Sequence, residues 1–313
     1  MNTIAVVIEE PERLVLSRLD LESPGEDDVV VDVEWSGIST GTERLLWSGR
    51  MPHFPGMGYP LVPGYESVGR VASVGSRAGV DLGARVFVPG ARCFGDVRGL
   101  FGGAAARVVV PGHRVVAIDE GLGEQGTLLA LAATAYHAVS AAGAAAPDLI
   151  VGHGILGRLL ARLALRDGGD PPVVWERNPT RATGAIGYRV LDPADDPRRD
   201  YRAIYDVSGD ASLLDGLIAR LARGGEIVLA GFYDQALSFA FPPAFMKEAR
   251  IRVASEWREH DLAAVHQLVR DGRLPLDGLI THRHEAVDAA EAYRTAFHDP
   301  ACLKMILDWR HCA

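Results

Sequence analysis

The sequence predicts an α/β chain in two parts, a small β-barrel followed by a doubly wound parallel sheet. Residues 1 to about 120 hold short β-branched runs bounded by Gly and Pro: IAVVI, VVVDVEWSGI, ESVGRVASVG, ARVFVP and ARVVVPGHRVVAI. From about residue 123 strand-like and helix-like stretches alternate, the pattern of a parallel sheet covered by helices. The 313 residues exceed what one hydrophobic core usually serves. The expected division is therefore 1–122 for the barrel, with 273–313 rejoining it, and 123–272 for the parallel sheet.

Within the second part, EQGTLLALAATAYHAVSAAG reads as a helix and DLIVGHG as a strand running into a turn. GILGRLLARLALRDGG is an amphipathic helix and PPVVWE a short strand. YRAIYDVSG and GGEIVLAGF continue the pattern around the helix ASLLDGLIARLARG. Helix DAAEAYRTAF and strand LKMILDW close the chain.

Composition narrows the function classes. At 48% hydrophobic and 23% charged the chain is too apolar to be disordered, and a net charge of −9 argues against nucleic acid held on a broad basic surface. The basic residues are almost all Arg. Only Lys247 and Lys304 depart from this, which reads as coding bias and gives neither a role. Cys93, Cys302 and Cys312 form no CxxC pair, excluding a disulfide scaffold or a four-cysteine zinc site and pointing to a reducing, cytoplasmic setting. MNTIAVVIEEPERL lacks the basic start of a signal peptide. The longest charge-free stretch, Gly126 to Pro147, is Ala-rich and interrupted by polar residues. It reads as a packed helix rather than an integral membrane segment, which leaves peripheral membrane contact open.

The strongest chemical signal is GxGxxG at Gly152, His153, Gly154, Ile155, Leu156 and Gly157, placed after the strand Leu149–Val151 and opening a helix. The first Gly permits the turn and the second admits a pyrophosphate. The third lets helix and strand pack closely, while the helix N-terminus faces the negative charge. A second strand ends in Glu176, nineteen residues beyond Gly157, where a carboxylate can hold both ribose hydroxyls of an adenosine. Such a carboxylate repels a 2′-phosphate and favours NAD. The adjacent Arg177 could instead accept that phosphate. Ser208, Gly231 and Phe232 end later strands, on the side where parallel sheets bind ligands.

The chain resembles the medium-chain dehydrogenase/reductase family over nearly its whole length. PLVPGYESVGRVASVG is similar to that family's barrel signature, DLIVGHGILGRLLARLA to its cofactor turn, and AVDAAEAYRTAF with LKMILDW to its closing segment. The resemblance implies a GroES-like barrel ahead of a Rossmann domain, and a homodimer as a common assembly. It also exposes departures. Where zinc-dependent members carry Gly-Ile-Cys and Gly-His-Glu, this chain has Gly37-Ile38-Ser39 and Gly64-Tyr65-Glu66, and Cys93 stands alone where four cysteines would hold a structural zinc. No metal is expected, since Ser and Tyr oxygens are poor zinc ligands.

The stretch Ser36 to Glu43 is similar to the family branch of bacteriochlorophyll synthesis. That branch implies oxidation of the 3-(1-hydroxyethyl) group of a tetrapyrrole, a bacteriochlorophyllide a precursor, to 3-acetyl with NAD. Without a metal to acidify the alcohol, side chains must take its proton. The family geometry offers Tyr65, Ser39, Thr42, Glu43 and Glu66. Tyr65 either bonds the substrate oxygen or fills the place of the metal, and the hydroxyls of Ser39 and Thr42 serve the site or cap turns. Glu66 is a base or a buried organiser of loops. His137 and His153 read as a packed helix residue and a residue lining the cofactor. In the loop 45–60, Trp47, Arg50, His53 and Phe54 are candidates for the macrocycle and its propionate, with a small core beneath a long loop as the alternative. Two other functions remain open, an NADPH-dependent quinone or enoyl reductase and a non-enzymatic nicotinamide-binding protein.

Overall fold

The two styles of sequence build two kinds of sheet. The computed structural model describes residues 1–312, the side chain of Asp167 excepted. The chain divides into two compact units, Met1–Ala130 with the segment from Leu279 onward, and Leu131–Gly278. These borders fall somewhat later than 122/123 and 272/273 for two local reasons. The 3-10 segment Glu120–Leu128 packs on strands of the first unit. Arg162 of the second unit holds the carbonyls of Pro275 and Asp277 at 2.6 and 2.9 Å.

The first unit opens with an antiparallel hairpin of β1 (Asn2–Glu10) and β2 (Arg13–Asp20). The long strand β3 (Asp28–Ile38) leads into the short helix α1 (Thr42–Trp47). There follow β4 (Leu61–Val62), β5 (Ser67–Val74), β6 (Arg85–Val88), β7 (Arg98–Gly99), β8 (Arg107–Pro111) and β9 (Val116–Ala117). One sheet has the order β2-β1-β4-β7, and β3, β5, β6, β8 and β9 belong to a second. Alternate small β-branched residues of both sheets, among them Val7, Val31, Val33, Val86 and Val108, meet in one core.

Helix α2 (Leu129–Ser140) is shorter than the sequence implies. Gly121, Gly123 and Gly126 weaken the helix ahead of it, and Gly123 sits at φ 51°, so that stretch winds as the 3-10 segment instead. The second unit then alternates β10 (Leu149–Val151), α3 (Ile155–Ala164), β11 (Val173–Trp175), β12 (Arg189–Leu191) and β13 (Tyr201–Asp206). It continues through α4 (Leu214–Arg220), β14 (Leu221–Leu229), α5 (Phe241–Lys247), β15 (Arg250–Val253) and α6 (Glu259–Arg270). All pairings are parallel, in the order β12-β11-β10-β13-β14-β15. Strand order reverses between β10 and β13, the place where such sheets bind ligands.

The chain then returns to the first unit with β16 (His282–Glu285), α7 (Ala289–His298) and β17 (Met305–Asp308). β17 pairs antiparallel with β3, Met305 opposite Ile38 and Ile306 opposite Gly37, completing a seven-stranded sheet. Among the described residues no helix is long and apolar enough to cross a membrane.

Candidate active site

Pairing of β3 with β5 brings the two halves of the first cluster side by side. Ser36 lies opposite Ser67, and the Gly37 N–H donates to the Glu66 carbonyl at 2.8 Å. Ser39 and Tyr65 thus leave neighbouring strand ends, their Oγ and Oη sharing a hydrogen bond of 2.7 Å. Tyr65 Oη also lies 3.5 Å from Thr42 Oγ1, in the first turn of α1. Glu43 is buried beside them. Its Oε1 accepts the Ser39 N–H at 2.9 Å and its Oε2 accepts the Tyr293 hydroxyl at 2.6 Å. Burial pushes the Glu43 carboxyl up to about 7, against the pull of both hydrogen bonds. Burial, and then the charge of Glu66, push the Tyr65 phenol up as well, so it stays protonated at neutral pH.

Glu66 is directed away from these hydroxyls. Its Oε2 lies 2.6 Å from Lys304 Nζ, and the same ammonium donates to the Ile38 carbonyl at 3.1 Å. Lys304 is 1% exposed. The register of β17 on β3 delivers it, one residue before Met305 and beside Ile38. Gly37 makes the room, since a Cβ there would stand 2.4 Å from Glu66 Oε2. The sequence reading set Lys304 aside as a product of coding bias. The available signal was its position, a lone cation in the apolar run LKMILDW. Tyr293 was also missed, because nothing in DAAEAYRTAF marks its hydroxyl as facing a buried carboxyl.

Zinc does not fit this donor set. Ser39 and Tyr65 supply hydroxyls already bonded to each other, and Glu66 is engaged by an ammonium. Among the described residues no three His, Cys, Asp or Glu side chains gather as metal ligands would.

Of the loop candidates, Phe54 packs with Met57 and Tyr59 on a small cluster of Ile8, Leu45, Leu46, Met51, Leu61 and Leu100. The ring of Trp47 joins the same cluster and lies 5.5 Å from that of Phe297. Arg50 and His53 are exposed.

In the second unit the glycine turn lies at the end of β10. A Cβ on Gly157 would come within 1.9 Å of the Gly152 carbonyl, whereas one on Gly154 would meet nothing within 4 Å. The third glycine is therefore required by packing, and the second leaves open space above the start of α3. No side chain caps that helix, so its first N–H groups remain for an anion, and the turn fits a dinucleotide. Glu176 ends β11 next to it. Its Oε2 accepts the His153 N–H at 3.2 Å and its Oε1 accepts that of Asn178 at 2.8 Å.

Arg177 is 70% exposed, its guanidinium 3.7 Å from Asp210. Ser208 turns its hydroxyl back onto the buried Asp206 at 2.7 Å, Gly231 donates its N–H to the Asp206 carbonyl, and Phe232 is exposed. The imidazole of His153 does not line open space. It is fully buried, with Nδ1 2.6 Å from the Arg181 carbonyl and Nε2 2.7 Å from the Tyr188 hydroxyl. His137 lies elsewhere, 2.8 Å from Asp261 on α6.

Residues 25–120 match the alcohol dehydrogenase GroES-like domain. The fold is also that of 2R,3R-butanediol dehydrogenase from Bacillus subtilis, with a TM-score of 0.84 over 98% of this chain and 99% of that one, at 20% identity. The chain belongs to the medium-chain dehydrogenase/reductase family. Within it, the chain is 59% identical over 311 residues, 99% of each sequence, to the 2-desacetyl-2-hydroxyethyl bacteriochlorophyllide A dehydrogenase of Rhodobacter capsulatus. To the protein of the same name from Cereibacter sphaeroides it is 57% identical over 318 aligned positions, 100% of each.

Two outcomes follow from the buried charges. Lys304→Met strands the Glu66 carboxyl and should destabilise the protein by about 3–5 kcal/mol. Adding Glu66→Leu should recover part of that loss in urea unfolding, and no recovery would contradict the pairing. For Glu43, the folded carboxyl titrates near 7 and the unfolded one near 4.5. Its contribution is therefore complete below about pH 4.5 and is lost as pH rises through 7, by about 3 kcal/mol. Wild type should lose stability between pH 5 and 8 relative to Glu43→Gln. Equal slopes for the two proteins would refute the assignment.

Proposed function

We propose that this chain oxidises the 3-(1-hydroxyethyl) group of a bacteriochlorophyllide a precursor to 3-acetyl, with NAD⁺ as hydride acceptor and no zinc. The observation that carries the reading is the end-to-end similarity to two 2-desacetyl-2-hydroxyethyl bacteriochlorophyllide A dehydrogenases. NAD is favoured over NADP by the Glu176 carboxylate, oriented on both oxygens, and by Arg177 lying toward Asp210. Independence from zinc is supported by the chemistry of the donors at Ser39, Tyr65 and Glu66.

Bound NAD⁺ supplies the acceptor for the hydride leaving the carbinol carbon. The remaining requirement is removal of the hydroxyl proton. Tyr65, with its proton retained, bonds the alcohol oxygen and passes a proton along the Ser39 and Thr42 hydroxyls. In this reading the proton ends on the carboxylate form of Glu43, which titrates near neutrality and lies beside the hydroxyls, held by the Ser39 N–H. The hand-over from hydroxyl to carboxylate needs a side-chain rotation or a water, while Glu66 is tied to Lys304. The Trp47 and Phe54 rings offer an apolar face to the macrocycle, Arg50 pairs with its propionate, and His53 reaches its magnesium. The enzyme works in the cytoplasm as a homodimer. Support for the dimer is the terminal strand β15 with exposed Val253, beside exposed Phe241, Phe245 and Met246.

The test is an absorbance assay with NAD⁺, or NADP⁺, and 3-hydroxyethyl bacteriochlorophyllide a. A red shift of the long-wavelength band with NAD⁺, unaffected by a zinc chelator, is expected. No shift with either nucleotide would overturn the substrate assignment. Tyr65→Phe should lower kcat by about 10²-fold or more, with nucleotide binding intact. For the dimer, Val253→Arg should halve the mass measured by light scattering, and a wild-type protein already monomeric would refute the pairing.

A further inference from the structure

Arg158 sits in the first turns of α3, just past the glycine turn, and is 4% exposed. A buried guanidinium ordinarily needs a carboxylate. Here it is satisfied by main-chain carbonyls. Nε donates to His153 O at 3.1 Å and Nη1 to Gly184 O at 3.2 Å, while Nη2 donates to Arg181 O at 3.0 Å and Thr183 O at 2.7 Å. One side chain thus ties the turn after β10 to the segment after β11. His153 adds a second tie. A carbonyl oxygen can only accept, so Nδ1 carries the hydrogen toward Arg181 O, and Nε2 accepts from the Tyr188 hydroxyl. Burial lowers the His153 pKa to about 4, keeping the ring neutral and this tautomer in place. The segment is shaped to receive the guanidinium. Gly184 has φ +76°, and a Cβ there would stand 2.8 Å from Arg158 Nη1.

This stitching surrounds Glu176. The His153 and Asn178 N–H groups that orient its carboxylate both belong to the tied segments, and Arg177 lies between Glu176 and Asn178. We propose that Arg158 and His153 are positioning residues for nucleotide selectivity, holding residues 177–188 against the glycine turn. Glu176 is thereby fixed where it accepts ribose hydroxyls, and Arg177 is kept from the place of a 2′-phosphate. The four carbonyls require a planar fork of donors, so lysine does not replace arginine. The inference rests on dinucleotide binding at this turn and is independent of the alcohol oxidised.

The test needs no alcohol. Dissociation constants for NADH and NADPH are measured by nucleotide fluorescence on full-length wild type, Arg158→Lys and His153→Gln, with thermal melting of each. Wild type should favour NADH. Arg158→Lys should weaken NADH by about tenfold while NADPH weakens less or tightens, so the preference narrows. His153→Gln, which can keep a donor toward Arg181 O, should narrow it less and guards against a variant that fails to fold. A folded variant that weakens both nucleotides equally, or neither, overturns the proposal and leaves the cofactor reading intact. Wild type that binds neither nucleotide overturns both.

Discussion

The Lys304–Glu66 pair is the contact on which the first unit's architecture turns. Both groups are withdrawn from water, and an isolated charge at that depth would be strongly unfavourable. Each makes the other tolerable, and the Ile38 carbonyl takes a further ammonium hydrogen. The pair also joins distant parts of the sequence. Lys304 comes from the closing strand and Glu66 from the entry to β5, with Gly37 of β3 lying between them without a side chain. The hydroxyl cluster of Ser39, Tyr65 and Thr42 lies next to the same two strand ends.

Around that pair the two carboxyls take different roles although both are buried. Glu66 faces a cation. Glu43 faces a phenol and a peptide N–H, which hold it without cancelling the effect of burial. One buried carboxyl is thus held by a cation and the other by neutral donors, two different answers to the same loss of water. Beside them Ser39 and Tyr65 share a hydrogen bond of 2.7 Å, with Thr42 Oγ1 3.5 Å from the Tyr65 hydroxyl.

Much of the second unit could be read directly from residues. The alternation of strands and helices, the glycine turn and the spacing to Glu176 are local patterns, and the structure carries them in the expected order. Helix α2 is shorter than read, and β14 starts at Leu221, inside the stretch read as the helix ASLLDGLIARLARG. Elements with weak or mixed patterns were not read. β2 mixes charge into its alternation, β12 is three residues long, and α5 begins at Phe241-Pro242-Pro243. At the sites the same division holds. Glycines and the Ser39–Glu43 stretch announce themselves, whereas Lys304, Tyr293 and Arg158 matter through partners that only strand register and backbone curvature supply. An arginine on an amphipathic helix reads as a solvated residue, and the four carbonyls that enclose it exist only once the segment 177–188 has folded.

The return of β17 to β3 also orders the birth of the protein. Translation proceeds from the N-terminus, so the whole of Leu131–Gly278 leaves the ribosome before the strand that completes the first unit. Until Met305–Asp308 emerges, the Trp35–Ile38 stretch of β3 lacks that neighbour, Glu66 lacks its ammonium, and Ser36 lacks the Trp309 indole that donates to it at 2.9 Å. A chain cut short by only ten residues therefore presents an open apolar strand edge and an unpaired buried acid together. The pairing of β17 with β3 removes both defects at once.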